Sequence, residues 1–338
     1  MTPPPIPLVR VEGGHREVGR AVGEATAAAV RGVAATVGPD ALAAAEAYRA
    51  VTAEELPWLV EELDGVAEGA GCDPAAVFAA SIEELAPVPE PVGRCSDLVA
   101  TPAASADGHL WVAHNNDLGP ETEDDLVAIE WRVEGDPTVF TIGIGPWISV
   151  GFNAAGLALT GNELSPNDNR VGIPRLLQVR DILRRRTLAD AVAAALHPRR
   201  ASSYANLLSH RTDGVVCVEG SATEAELLRP SAAGTLAHTN HYVGERMLRF
   251  EADPGYARRS AVRYRRALRW LATGDITPTH LRRALSDHAD APDSLCRHVG
   301  AGSETKTVFW CIADVTTGDI AYGRGNPCTS GEQRYAFA

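Results

Sequence analysis

A proline-rich stretch, APVPEPVGR (residues 86–94), cuts the chain into two regions of different texture. Three prolines in nine residues leave no room for a helix or a ladder strand to run across it. Before it, Val18, Val22, Ala25, Ala29 and Val33 recur at helical spacing, and Gly38 with Pro39 stops that pattern. A second helix is expected near residues 41–51. A third is expected to open at Thr52, from its capping-box spacing to Glu55, and to run through Val66, and a fourth covers residues 75–85. After Arg94 the period becomes that of strands, expected at residues 96–101, 110–114, 126–133, 138–144 and 148–152, with Gly108, Gly135 and Gly145 as turn signals.

Two helices are then predicted, at residues 174–185 and 188–196, the second capped by Thr187. Strands at 204–209, 215–218, 225–228 and 235–238 precede helices at 257–272 and 278–288. Strands at 307–313 and 319–322 close the chain. That order describes an α+β fold in four layers, αββα, with two sheets between helix layers. The division expected is a helical segment of residues 1–94 followed by an αββα domain of residues 95–338.

Of the 338 residues, 45% are hydrophobic and 22% charged, enough for a large core. The 44 acidic residues outnumber the 31 basic ones, and a net charge of -13 argues against nucleic acid or an anionic membrane as the main partner. No apolar run is long enough to span a bilayer, and the start, MTPPPIPLVRVEGG, lacks the apolar stretch of a signal peptide, so a cytoplasmic location is expected. The six cysteines are too sparse for a disulfide scaffold and form no C-x-x-C pair. Free thiols in a reducing compartment follow.

Cys95 stands where the proline-rich stretch meets the first strand. Cleavage of the bond before it would make it an N-terminal residue. An α-amino group has a pKa of about 7.7–8.0, against about 10.4 for a lysine, so near neutral pH it can take the proton of its own thiol. One residue then serves as nucleophile and base. By position alone, a buried structural cysteine is the more ordinary reading. Further along, HNND places Asn115, Asn116 and Asp117 at a strand end. GFNAAGLALTGNEL puts Asn162 at the end of a hairpin strand, LAHTNHY puts Asn240 at another, and SLCRH sets Arg297 beside Cys296. Each segment alone reads as turn chemistry.

Taken in order, Cys-Ser at the junction, N-N-D, N-A-A-G-L-A-L-T-x-N, H-T-N-H, C-R-H and the closing G-N-P-C resemble the acyl-CoA:6-aminopenicillanate acyltransferase-like branch of the cysteine N-terminal-nucleophile (Ntn) hydrolases. The resemblance covers nearly the whole chain. It implies autocatalytic cleavage between Arg94 and Cys95, giving a helical pro-segment and a larger catalytic chain that stay associated. It places Asp117 and Arg297 near the new N-terminus as a charge-assisted pair and assigns Asn240 to the oxyanion hole, with Asn162 near the amine or the oxyanion. Arg94 stands where the family usually has glycine. Asn116 stands where it often has tryptophan, at a position expected to shape the substrate cleft, with His241 as a further substrate contact. The implied reaction opens the amide or thioester carbonyl of a small N-acyl compound through a Cys95 thioester, which water or an amine then resolves. An amidohydrolase with latent N-acyltransferase ability is the reading adopted.

Three alternatives stay open: a binding protein with an inert Cys95, a dedicated acyl-CoA-dependent transferase, and a cysteine peptidase whose base would be His114, His238 or His241. The partners expected are the small acyl substrate and the protein's own pro-segment. No cofactor is expected, and no metal either: His238 and His241, even with Asp117 or His210, lie on a segment following a strand, where i,i+3 histidines make a poor ligand pair. Arg258, Arg259, Arg263, Arg265, Arg266 and Arg269 are read as a solvated helix face.

Overall fold

The computed structural model describes residues 3–85, 95–300 and 302–337. Residues 86–94, and with them Arg94 and the expected cleavage bond, lie outside the described residues. The N-terminal region comprises β1 (Leu8–Gly13), α1 (His15–Ala25), α2 (Ala27–Ala34), α3 (Pro39–Glu55), α4 (Pro57–Ala70) and α5 (Pro74–Ala80). From Ser96 follow β2 (Ser96–Ala100), β3 (Trp111–Leu118), β4 (Leu126–Val133), β5 (Val139–Ile144), β6 (Trp147–Asn153) and β7 (Leu157–Asn162). Then come α6 (Arg175–Leu183), α7 (Leu188–Ala195), β8 (Ala205–His210), β9 (Gly214–Gly220), β10 (Ala225–Leu228) and β11 (Thr235–His238). The last elements are α8 (Pro254–Leu271), α9 (Pro278–Leu285), β12 (Lys306–Asp314), β13 (Asp319–Arg324) and β14 (Gln333–Tyr335).

The strands form an eight-stranded sheet, ordered β1-β4-β5-β6-β7-β8-β9-β10, and a six-stranded sheet, ordered β11-β2-β3-β12-β13-β14. Their facing sides share a core that includes Val99, Val112, Phe140, Phe152, Leu207 and Phe309. On the outer face of the larger sheet, Val18 and Val22 of α1, Val179 and Ile182 of α6, and Ala191 of α7 pack on Val127, Ile129 and Trp131. On the outer face of the smaller sheet, Ala267 and Leu271 of α8 and Leu281, Ala284 and Leu285 of α9 pack on Leu98, Ala113 and Trp310. The expected αββα sandwich is the fold observed, with α3, α4 and α5 packed around a further core that Ile173, Leu177 of α6 and Ala201 also enter.

The N-terminal region is not wholly helical. Leu8–Gly13 pairs in parallel with β4, Leu8 opposite Ala128 and Gly13 opposite Val133. Just upstream, Ile6 is tied to the far end of the chain: its N–H donates to Gln333 Oε1 at 2.7 Å and its carbonyl accepts from Gln333 Nε2 at 2.9 Å. Thr52 is not a cap. It lies inside α3, where its hydroxyl bonds back to the Tyr48 carbonyl, and α4 opens instead at Pro57, whose missing N–H costs nothing in a first turn. The first helix breaks at Thr26, whose hydroxyl bonds to the Val22 carbonyl in the same way.

Glycines set how closely α1 and α4 approach. A Cβ on Gly19 or Gly23 would stand 2.0 Å from the Glu62 carbonyl oxygen or 2.1 Å from that of Val66. One on Gly65 or Gly69 would meet those of Arg16 or Arg20 at 2.3 and 2.1 Å. Glu62 of α4 bridges three helices: it accepts from Arg180 of α6 at 2.9 and 3.1 Å, and its Oε2 lies 2.9 Å from Nδ1 of His15, the first residue of α1. Burial alone would raise the Glu62 carboxyl, but the charge and hydrogen bonds of Arg180 outweigh it and hold the pKa below its usual value.

Candidate active site

Cys95 immediately precedes β2, and the β2–β3 register, Ser96 opposite Asn115 and Asp97 opposite His114, places it across from Asn116. Side chains alternate along a strand. Val99 and Val112 belong to the core between the sheets, so Cys95, Asp97, His114 and Asn116 point into that same space. Leu98 and Ala113 belong to the helix-side core, which puts Ser96, Asn115 and Asp117 on the face toward α8 and α9. Cys95 is 6% exposed, and its thiol accepts a hydrogen bond from Asn116 Nδ2 at 3.4 Å.

Asp97 and His114 form a wholly buried pair, Nδ1 to Oδ1 at 2.7 Å. Burial alone would lower the imidazole pKa. The charge and hydrogen bond of Asp97, joined by the neighbouring Cys95 thiol, outweigh burial and push it up to about 10. The ring is therefore an imidazolium at neutral pH, set beside the sulfur. From Asp97 a polar chain crosses between the sheets. Asn162 Nδ2 donates to Asp97 Oδ2 at 2.6 Å and lies 3.3 Å from His238 Nδ1, while His238 Nε2 lies 2.7 Å from Glu219 Oε1. Glu219 in turn accepts from the N–H groups of Val243 and Gly244 at 2.7 Å each.

On the helix side, Arg263 of α8 is 1% exposed. It donates to the Cys95 carbonyl at 2.6 Å, to Ser96 Oγ at 3.0 Å and to Asn240 Oδ1 at 2.9 Å. That last bond fixes the orientation of the Asn240 amide. Asn240 Nδ2 gives one hydrogen bond, to the Glu163 carbonyl at 3.1 Å, and the Asn240 N–H is held by Ser260 Oγ. Asp117 accepts from Thr307 Oγ1 at 2.7 Å and lies 3.8 Å from Arg297 Nε. Burial pushes its carboxyl up, with Arg297, Arg263 and the Thr307 hydroxyl pulling against it. Arg297 also donates to Ser303 at 2.8 Å and to Asp293 at 3.1 Å. Four buried acceptors here, Asn115 Oδ1, Asn116 Oδ1, Asp117 Oδ2 and Asn162 Oδ1, have no hydrogen-bond partner among the described residues.

The structure thus brings Asn116 onto the Cys95 thiol and Asn240 onto the arginine that holds the Cys95 carbonyl, and it pairs Asp117 with Arg297. Asn162 stands further off, joined to the thiol through Asp97 and His114. His241 packs on Ser260 Oγ at 2.9 Å and edge-on to Tyr264; burial and the charges of His238 and Arg263 lower its pKa to about 4. It and His238 are engaged with different partners, so they share no ligand point.

Arg263 is the exception to the reading of its helix as a solvated arginine face. Tyr256, Ser260, Arg263, Ala267 and Leu271 are the buried positions of α8, and Arg263 alone of the six arginines falls on that stripe. Asp97 was missed as well. The signal for it was the alternation of Cys95 with Asp97 and of His114 with Asn116, which places all four on one face. A cleft of about 540 Å³ bordered by Trp111, Arg282, Glu332 and Tyr335 lies along β13 and β14 and contains none of these residues.

Among solved structures, the chain is similar to an N-acylethanolamine-hydrolyzing acid amidase ortholog from Caenorhabditis elegans, at 14% identity over 66% of this chain and 93% of that one, with a TM-score of 0.45. It is similar to a variant of the conjugated bile acid hydrolase from Clostridium perfringens, at 12% identity over 72% and 97%, with a TM-score of 0.47. A penicillin V acylase from Agrobacterium tumefaciens matches at 12% identity over 72% and 86%, with a TM-score of 0.40. No curated protein matches the sequence. The family model for acyl-coenzyme A:6-aminopenicillanic acid acyl-transferase matches residues 104–328, from shortly after Cys95 almost to the C-terminus and two thirds of the chain. The chain belongs to the acyl-coenzyme A:6-aminopenicillanic acid acyl-transferase family.

Proposed function

We propose that the protein is a self-cleaving cysteine amidohydrolase that opens a small N-acyl compound through a thioester at Cys95, with acyl transfer to an amine as a secondary outcome. The observation that carries this reading is the surroundings of Cys95: one buried sulfur with an amide donor and an imidazolium beside it, and its own carbonyl held by a buried guanidinium. A cation beside a thiol stabilises the thiolate. His114, kept protonated by Asp97, fills that role and is unable to act as the base. That disfavours the peptidase alternative, in which a histidine takes the thiol proton, and leaves the task to the α-amine released by cleavage after Arg94.

In the proposed sequence the thiolate attacks the carbonyl, and the Asn240 amide, oriented by Arg263, donates to the developing oxyanion. The Cys95 ammonium gives its proton to the leaving amine, which departs, and the Cys95 α-amine, now neutral, deprotonates the water that resolves the thioester. Asp117 and Arg297 orient the new N-terminus. Intact-mass analysis tests the reading. Fragments of residues 1–94 and 95–338, an acyl adduct on the larger one after brief exposure to N-acyl compounds, and neither event in Cys95→Ala are expected. An uncleaved chain that takes up no acyl group from amides or thioesters would leave the binding-protein alternative standing.

A further inference from the structure

Arg297 is flanked in sequence by Cys296 and His298, and the fold gathers both with two residues from elsewhere, His288 beyond α9 and Cys328 between β13 and β14. Cys296 Sγ lies 3.6 Å from Cys328 Sγ and 3.6 Å from His298 Nε2. His298 Nε2 lies 3.5 Å from Cys328 Sγ and 3.1 Å from His288 Nε2, and all four donor atoms fall within 4.8 Å of one another. Tetrahedral zinc with bonds of about 2.3 Å to sulfur and about 2.0–2.1 Å to nitrogen has edges of about 3.7 Å between sulfurs, about 3.5 Å between sulfur and nitrogen and about 3.3 Å between nitrogens. The four measured edges follow that pattern.

We propose that Cys296, Cys328, His288 and His298 form a Cys2His2 site for a structural Zn²⁺. Two thiolates and two imidazoles suit zinc and not the oxygen-seeking calcium or magnesium, and four protein ligands leave no open position for chemistry. Binding displaces the two thiol protons to solvent, with no change of oxidation state. The outer shell is also in place: Asn326 Nδ2 lies 3.6 Å from Cys296 Sγ and donates to the Arg297 carbonyl at 2.5 Å. Because ligands sit on both sides of Arg297, the metal fixes the backbone that presents the guanidinium to Asp117. This site stands on its own donor geometry and does not depend on the proposed reaction.

The test is metal content of the full chain purified in reducing buffer from zinc-supplemented cells. One zinc per chain is expected, with at least a tenfold loss in His288→Ala combined with Cys328→Ser. Cobalt exchanged into the wild-type protein should show the visible absorption of a tetrahedral S2N2 centre, a readout that survives even if the double variant misfolds. Negligible zinc together with no cobalt spectrum overturns the proposal, as does stoichiometric zinc retained by the folded double variant. A native chain two hydrogens lighter than its sequence under these conditions, with Cys296 and Cys328 joined as a disulfide, overturns it too.

Discussion

The Nδ1 atom of His114 lies 2.7 Å from Asp97 Oδ1 in a space where neither side chain meets solvent. The pair sits across two neighbouring strands, on the inter-sheet face. An imidazolium is held there against the cost of burying it, because the carboxylate was buried with it. The thiol gains a positive neighbour without any lysine or arginine reaching it from solvent.

Replacing Asp97 by Asn removes the charge that holds the proton. The His114 pKa should fall, the thiolate should lose its counter-charge, and alkylation of Cys95 at pH 7 should slow by about tenfold or more. Rates of iodoacetamide labelling across pH 5–10, with Cys95 followed by peptide mass analysis, check this. An unchanged profile in a folded variant would remove His114 from the chemistry.

The same pair makes stability depend on alkaline pH. His114 binds its proton more tightly when folded, with a pKa near 10 against about 6.5 unfolded, so its contribution is complete below about pH 6.5. It declines as pH rises through about 10. Urea midpoints should therefore fall between pH 7 and 10 in the wild-type protein, and the fall should be shallower in Asp97→Asn.

Asn240→Ala should lower kcat by about 100–1000-fold with little change in KM, as loss of an oxyanion donor does. Arg263→Lys, which keeps the charge but not the fork that reaches Cys95, Ser96 and Asn240 together, should reproduce a good part of that loss. Steady-state kinetics on any turned-over N-acyl substrate separate the two parameters. An Asn240 effect confined to KM would move that residue from the reacting oxygen to ground-state binding.

Gly65→Ala should destabilise the protein by about 1–3 kcal/mol, since its Cβ would lie 2.3 Å from a backbone oxygen of α1. Gly32→Ala in α2, where nothing lies within 4 Å, should be neutral or stabilising by about 0.5–1 kcal/mol. Chemical denaturation of both variants gives the contrast. Equal midpoints would mean that α1 and α4 can slide apart at no cost.

Much of this architecture was legible in the residues. The switch from helical to strand period at the proline-rich stretch, and the alternation of helix pairs with strand blocks, come from local pattern, and local pattern survives in the fold. What escaped notice was decided by distant partners. Residues 8–13 become a strand because β4 arrives beside them, and Thr52 fails as a cap because Pro57, further on, offers the better start. Arg263 looks like its five neighbours until α8 is laid on β2. Cys296 and His298 were visible as a motif around Arg297, but nothing in their vicinity announces His288 or Cys328.

Ile6 and Gln333 hold each other by two hydrogen bonds, across nearly the full length of the polypeptide. A ribosome makes Ile6 long before Gln333. Until Gln333 emerges, the edge strand at Leu8 lacks its anchor, and Asp117 waits in the same way for Thr307 and Arg297. Contacts of such long separation form slowly. Asp97, His114 and Asn116 are made soon after Cys95, but Asn240, Arg263, Arg297 and Thr307 come much later, so the surroundings of Cys95 are complete only once their most distant members have been synthesised.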